Sequence, residues 1–375
     1  MVRNSVLIGL LVILILSVLN LYTYYAFFGD IELLANYKTF FIALMIFMTF
    51  CEILYFAVFR NIKINRNVVI FLSSLVGVSF IFFSMAITYD ITKWLLELFF
   101  SGKNYFKKTI YFVDLAFLIV TFGYVIFGFI YGVKPPKIKT LEVKIKNLKN
   151  PISIVHLSDL HIGKIIRKDF VEDVVEKTNL LNPDIVVITG DLVDLEVNEI
   201  KHYLEPLKDL KTKFGVYYVL GNHEYFHGAE EILEFIKTLH IRVLENENLV
   251  IDKNINLIGL NDLFGNVVGI LKPDLEKAYN GVDETLPNVL LAHQPKQARF
   301  IDDKFGVDLM LSGHTHGGQI FPFNLLVKLD QPYVGGFHIY KNKIPIFISK
   351  GTGCWGPPIR FLAASEIVKI NLVQK

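Results

Sequence analysis

Cysteine is nearly missing from this chain: its 375 residues contain two, Cys51 and Cys354, far apart. Cys51 lies within an apolar stretch, so the pair gives no basis for a disulfide framework, and the redox compartment stays open. Charge imbalance is missing too. A formal net charge of +2 provides no electrostatic case for a nucleic-acid partner. Charge is also absent locally, since Ser5 to Phe28 is a run of 24 residues without one charged side chain. That run is too long for the apolar region of a secretory signal, and no small-residue cleavage site follows it.

What the chain has in excess is apolar surface. Hydrophobic residues make up 53% of it, concentrated before about residue 135. The run at 5–28 is long enough to cross a hydrocarbon core of roughly 30 Å at about 1.5 Å per helical residue. Similar runs follow at 39–59, 67–89 and 109–132, with Tyr and Phe near several ends, as interfacial rings would be. The expectation is a transmembrane domain over residues 1–133, built as an α-helical four-span bundle. Ile91 to Phe100 either lies along the membrane surface as an amphipathic helix or extends the neighbouring span.

With the N-terminus inside, the inner side holds Arg3, Arg60, Lys63, Arg66 and six lysines between Lys134 and Lys149, against Lys38, Lys93, Lys103, Lys107 and Lys108 outside. Ten positive charges against five favour a cytoplasmic C-terminal half in a multi-pass protein of the cell membrane. Glu52 and Asp114 fall within spans. Intramembrane carboxylates are candidates for function, a transport role included, and equally for a place inside the bundle satisfied by hydrogen bonds. Pro135 and Pro136 end the last span. Residues 134–150 then read as a basic linker, with Leu141, Val143 and Ile145 alternating as in an edge strand; its lysines are suited to contact membrane lipids.

From Pro151 onward one pattern recurs: a short apolar run, read as a strand, and directly after it a loop of His, Asp, Asn and Gly. Ile152–Leu157 leads into Asp159-Leu160-His161, and Ile185–Thr189 into Gly190-Asp191. Val216–Leu220 leads into Gly221-Asn222-His223-Glu224, Val289–Ala292 into His293, and Leu309–Leu311 into Gly313-His314-Thr315-His316-Gly317-Gly318. Helix-like stretches between them imply an α/β domain over 151–375, and such sheets gather ligands at the carboxyl ends of their strands. Imidazole, carboxylate and amide oxygen suit divalent Mn, Fe, Zn or Co, whereas a thiolate site would need cysteines the chain does not have. Seven candidate ligands are too many for one tetrahedral ion and enough for two that share a bridge.

These motifs, in this order and with 32 residues from Asp159 to Asp191 and 31 from Asp191 to Asn222, resemble the calcineurin-like metallophosphoesterases over about residues 140–375. The Gly-His-Thr-His-Gly-Gly-Gln run and the later Gly351-Thr352-Gly353 through Pro358-Ile359-Arg360 resemble a branch holding bacterial membrane-linked phosphoesterases and the transmembrane protein with metallophosphoesterase domain. The resemblance implies a β-sandwich flanked by helices and two divalent metal ions. Asp159, His161 and His316 would hold one ion, Asn222, His293 and His314 the other, and Asp191 would bridge them. A metal-bridging hydroxide would attack phosphorus. His223 would stabilise the transition state or protonate the leaving oxygen, and Gly317 and Gly318 would let the backbone approach the phosphate.

The functional expectation is a membrane-anchored phosphoesterase acting on phosphate esters or pyrophosphates, on a phosphorylated small-molecule or lipid-linked substrate. The alternative is a non-catalytic receptor or scaffold that binds phosphorylated ligands through the same domain. His156, inside the first strand, reads as a packed residue. His227 lies near enough to the Asn222 loop to touch substrate, and Arg360 has the chemistry to pair with a phosphate or a structural carboxylate. Asp262 is singled out without a role. Glu224, where Asp is more usual, is expected to bear on His223.

Overall fold

The computed structural model describes residues 2–58 and 64–375. Arg60 and Lys63, counted above toward the inner charge, and Phe59, the expected end of the second span, lie outside the described residues. The chain forms two compact units: Met1–Val133 with Gly356–Phe361, and Lys134–Trp355 with Leu362–Lys375.

The first unit contains four helices long and apolar enough to cross a membrane: α1 (Val2–Thr23, continued as a π-helical turn at Tyr24–Phe28), α2 (Lys38–Val58), α3 (Arg66–Phe100) and α4 (Phe106–Gly132). They are apolar around much of their circumference, as helices solvated by lipid must be. Ile91–Phe100 is not a separate surface helix. No proline or glycine interrupts it, and it continues α3 to 35 residues, about 50 Å at the helical rise. Phe27, Phe28, Phe82 and Tyr89 are buried together, with Phe41 stacked on Phe28 at 4.3 Å between ring centres.

Both intramembrane acids are buried and hydrogen-bonded. Glu52 accepts from Asn20 at 2.8 Å and from Ser79, and Asp114 accepts from the Tyr89 hydroxyl at 2.8 Å. In the sequence reading residues 151–375 were one domain, yet Gly356–Phe361 belongs with the helices. The reason is steric. Gly77 of α3 and Gly128 of α4 leave room for Ile359, and a Cβ at either would come within 2.8 Å of it. Phe361 lies against Tyr124 with ring centres 4.1 Å apart. The Arg360 amide donates to the Gly128 carbonyl at 2.9 Å.

The second unit is built on two six-stranded sheets. Its strands are β1 (Lys137–Ile145), β2 (Ile152–Leu157), β3 (Ile185–Thr189), β4 (Val216–Val219), β5 (Ile241–Val243) and β6 (Glu247–Ile251), then β7 (Ile255–Leu260), β8 (Asn288–Ala292), β9 (Leu309–Ser312), β10 (Gly336–Tyr340), β11 (Ile344–Ile348) and β12 (Glu366–Gln374). One sheet runs β1-β12-β2-β3-β4-β5, the other β10-β11-β9-β8-β7-β6. The central ladders β2-β3-β4 and β7-β8-β9 are parallel.

Side chains alternate between the faces, and the sequence pairs them with two partners. Val186 and Ile188 of β3 pack with Val171, Ile200 and Ile232 from helices at Lys168–Leu180, Val197–Leu204 and Ala229–Thr238. Ile185 and Val187 pack instead with Leu257, Leu291 and Leu311 of the other sheet. The outer face of that sheet, including Leu290, Met310 and Ile346, is covered by Ala278 and Ala298. The layers run helix, sheet, sheet, helix. Burial on both faces explains why the ligand-bearing strands read as unbroken apolar runs.

Candidate metal centre

Each apolar run ends where its chain must turn sharply out of a buried strand, and the candidate ligands occupy those turns. Asp159, His161, Asp191, His314 and His316 have φ between 49° and 68°, in the left-handed region. Such conformations are costly for residues with side chains and cluster at functional sites, where the surrounding packing imposes them. Gly190 is held tightly as well: at φ 79°, any Cβ there would meet the Gly221 backbone and, at 2.7 Å, the His293 ring.

Six of the seven expected ligands fall into two clusters: Asp159 with His161 and His316, and Asp191 with His293 and His314. In the second cluster, His293 Nδ1 donates to the Thr189 carbonyl at 2.7 Å, which turns Nε2 toward the site. That nitrogen faces Asp191 Oδ2 at 3.1 Å, Asn222 Oδ1 at 3.2 Å and His314 Nδ1 at 3.2 Å. Asn222, the seventh expected donor, thus lies beside this cluster. In the first cluster, His161 Nε2 lies 2.9 Å from His316 Nε2, and His316 Nε2 lies 3.5 Å from Asp159 Oδ1.

Asp191 stands between the clusters. Its Oδ1 accepts from the His223 amide at 2.9 Å, while Oδ2 is 3.1 Å from His293 and 3.9 Å from His161. Lone pairs converging on two points, with buried carboxylates among them, are satisfied by cations and by little else. The residues present fit two divalent ions with Asp191 shared.

The residue that the sequence reading missed is Asp194. Its Oδ1 accepts from His161 Nδ1 and from His223 Nδ1, each at 2.7 Å. One carboxylate therefore fixes the tautomer of an expected ligand and of the expected acid, turning both Nε2 atoms inward. A third group of potential ligands, His161 with Asp194 and His223, is thus better explained as hydrogen bonding through Nδ1–H. The available signal was Gly190-Asp191-Leu192-Val193-Asp194, a second acid three residues beyond the first.

Glu224 bears on His223 through its charge, which helps raise that histidine's pKa, while its hydrogen bonds go to backbone amides. It is buried and accepts from the amides of Gly221 at 2.7 Å, Leu192 at 2.7 Å, Asp191 at 3.1 Å and Val193 at 3.3 Å, locking two ligand loops together. Asp262 accepts from Gln294 and from the Phe264 amide, both at 2.8 Å, and so steadies the residue that follows His293. His156 is packed, with Nε2 2.7 Å from the Thr189 hydroxyl. His227 is half-buried, its ring 6.5 Å from that of His223.

The charges explain the protonation states. Burial works against ionisation of Asp191, yet the nearby charges of His293 and His223 hold its carboxyl well below the usual range. Burial and His161 oppose each other in the same way at Asp194, and the pair with His161 wins, lowering it. For His223 burial is outweighed by the charge of Asp191 and the hydrogen bond it donates to Asp194, and its pKa is pushed up to about 9. His314 goes the other way, down to about 3, through burial and the charge of His293.

The sequence profile of the calcineurin-like phosphoesterases matches residues 152–318. An uncharacterized metallophosphoesterase of Helicobacter pylori is 41% identical over 325 residues, 85% of this chain and 86% of that one. One of Campylobacter jejuni is 35% identical over 367 residues, covering 97% and 98%. The transmembrane protein with metallophosphoesterase domain of Danio rerio is 34% identical over 273 residues, 68% of this chain and 62% of that protein. This chain belongs to the calcineurin-like metallophosphoesterase family. With four helices fit to span a bilayer, it is a membrane protein of that family.

Proposed function

We propose that the protein is a membrane-anchored dimetal hydrolase of phosphate esters or pyrophosphates. The observation that carries this reading is Asp191 Oδ2, set between two clusters of inward-facing imidazole and carboxylate atoms, with His223 held beside them by Asp194. Two divalent ions held there supply Lewis acidity to phosphoryl oxygens and an acidified water. Mn, Fe, Zn and Co all suit the donor set. The protein contributes the rest. Asp194 accepts the Nδ1 proton of His223 and keeps the proton-bearing Nε2 toward the site, 4.0 Å from Asp191 Oδ2. The Asp194 carboxylate on Nδ1 favours the protonated ring, which would give its Nε2 proton to the leaving oxygen.

The excess of positive charge on the side of both termini supports a cytoplasmic catalytic domain in the cell membrane. The test is hydrolysis of an aryl phosphate and an aryl phosphodiester by the full-length protein in detergent with Mn. Chelation and Asp191→Ala should each reduce turnover by roughly 10³-fold or more. Turnover indifferent to both, or no turnover of either ester by the parent, would leave the domain a binding scaffold.

A further inference from the structure

The metal centre has an apolar element fixed to it on each side. After His316 the chain turns through Gly317 and Gly318, at φ 64° and 79°, and enters a helix at Phe323–Asp330. Gly318 backs directly onto that helix, because a Cβ there would run into Asn324. The far end is tied beside the other metal cluster, where the Gln331 side chain accepts from the Lys296 amide at 3.0 Å, three residues beyond His293.

The helix turns its leucines outward. Leu325 and Leu326 are each 54% exposed and Leu329 is 82% exposed, with Phe321 exposed just before them. Spacings of three and four residues put these leucines on one face. The helix's acid, Asp330, is paired with Lys296 at 2.8 Å, so the outward surface is apolar with Lys328 on it. On the other side of the centre, the exposed ring of Phe226 lies 5.5 Å from His223 and 4.7 Å from Phe264. Phe264 opens a short helix that also exposes Val267.

Exposed aliphatic side chains grouped on a helix mark something that covers them. This chain tethers the domain to a bilayer, and an apolar helix with a lysine on its surface suits the headgroup–acyl boundary. The phosphoryl chemistry of the centre fixes what the covering molecule carries at its polar end. We propose that the substrate is an amphiphile: its phosphate ester or pyrophosphate is held at the metal centre, and its hydrocarbon chain lies along the Phe321–Leu329 face. This rests on the phosphoesterase reading above and adds to it the class of substrate and the surface that selects it.

The experiment uses the full-length Mn-loaded protein and a series of aryl alkyl phosphodiesters with chains of about two to about twelve carbons, all presented in the same mixed micelles. The expected result is a kcat/KM that rises at least about tenfold along the series, the equivalent of roughly two methylenes withdrawn from water. In the double variant Leu326→Glu, Leu329→Glu that rise should disappear; Leu329→Ser, a milder change at an exposed position, should reduce it. A parent enzyme that hydrolyses short and long chains equally well overturns the proposal while leaving the hydrolase intact. A rise that persists in the variants also overturns it and assigns the face to another occupant, such as a protein. If no member of the series is hydrolysed while an aryl phosphate monoester is, this proposal fails and the hydrolase stands; if neither is hydrolysed, the phosphoesterase reading fails with it.

Discussion

In the helical unit the buried carboxylates meet neutral donors: Glu52 meets an amide and a hydroxyl, and Asp114 a phenol. In the two-sheet unit Asp159, Asp191 and Asp194 meet imidazoles, with His316, His293, His161 and His223 at 2.7 to 4.0 Å. Neutral donors satisfy a carboxylate that has only to sit inside a bundle. Imidazoles with their second nitrogen anchored elsewhere converge on points that require cations. The difference separates a carboxylate satisfied inside a bundle from one set among candidate metal ligands, although Glu52, Asp114, Asp159 and Asp191 are all buried.

The sharpest way to break that comparison is to remove Asp194, which sets the tautomers without belonging to either metal cluster built on Asp191 or Asp159. Asp194→Ala should lower kcat/KM for an aryl phosphate by about 10- to 100-fold. It should also weaken Mn binding, measured by metal titration, because His161 loses its anchor. A value within a few-fold of the parent would mean that the backbone alone orients both histidines.

His156 offers a test through pH. Burial lowers its pKa to about 3, so in the fold it is neutral across the neutral and mildly acid range. The unfolded chain takes up a proton near the ordinary value of about 6.5. Stability associated with this residue is therefore present above that value and is lost as the pH falls. Between about pH 7.5 and about pH 5.5 the loss should be roughly 1 kcal/mol, and His156→Gln should flatten the slope in denaturant titrations. An unchanged slope would place the acid sensitivity in the metal ligands instead.

Glu52 should give the smallest effect. Glu52→Gln, which keeps a side chain able to pair with Asn20 and Ser79, should change stability in detergent by about 0.6 kcal/mol and leave aryl phosphate hydrolysis within about twofold. Loss of hydrolysis in this variant would erase the contrast and link the bundle's carboxylate to catalysis.

Much of this was legible in the chain because it is local. A span is a property of consecutive residues, and the ligand loops follow apolar runs without interruption. Asp159, Asp191 and His293 announce themselves by standing where a strand has just ended. Asp194 was not legible, since its significance lies in two histidines from distant loops, 33 residues before it and 29 after it. The hydrogen bonds of Glu224 were hidden for a related reason: beside His223 in sequence, it turns to amides of the Asp191 loop. Arg360, weighed for a phosphate or a structural carboxylate, is buried with its amide on the Gly128 carbonyl, because Gly77 and Gly128 make space for its neighbour Ile359.

By itself the sequence determined four apolar spans and a two-ion donor set, because hydropathy and ligand chemistry reside in side chains whatever their position. Only the tertiary structure decided which nitrogen of each histidine faces inward, which acid orients them, and which leucines are left exposed beside the metal centre. Those properties depend on groups that meet only once the two sheets have stacked and the strand-end loops have closed over one edge.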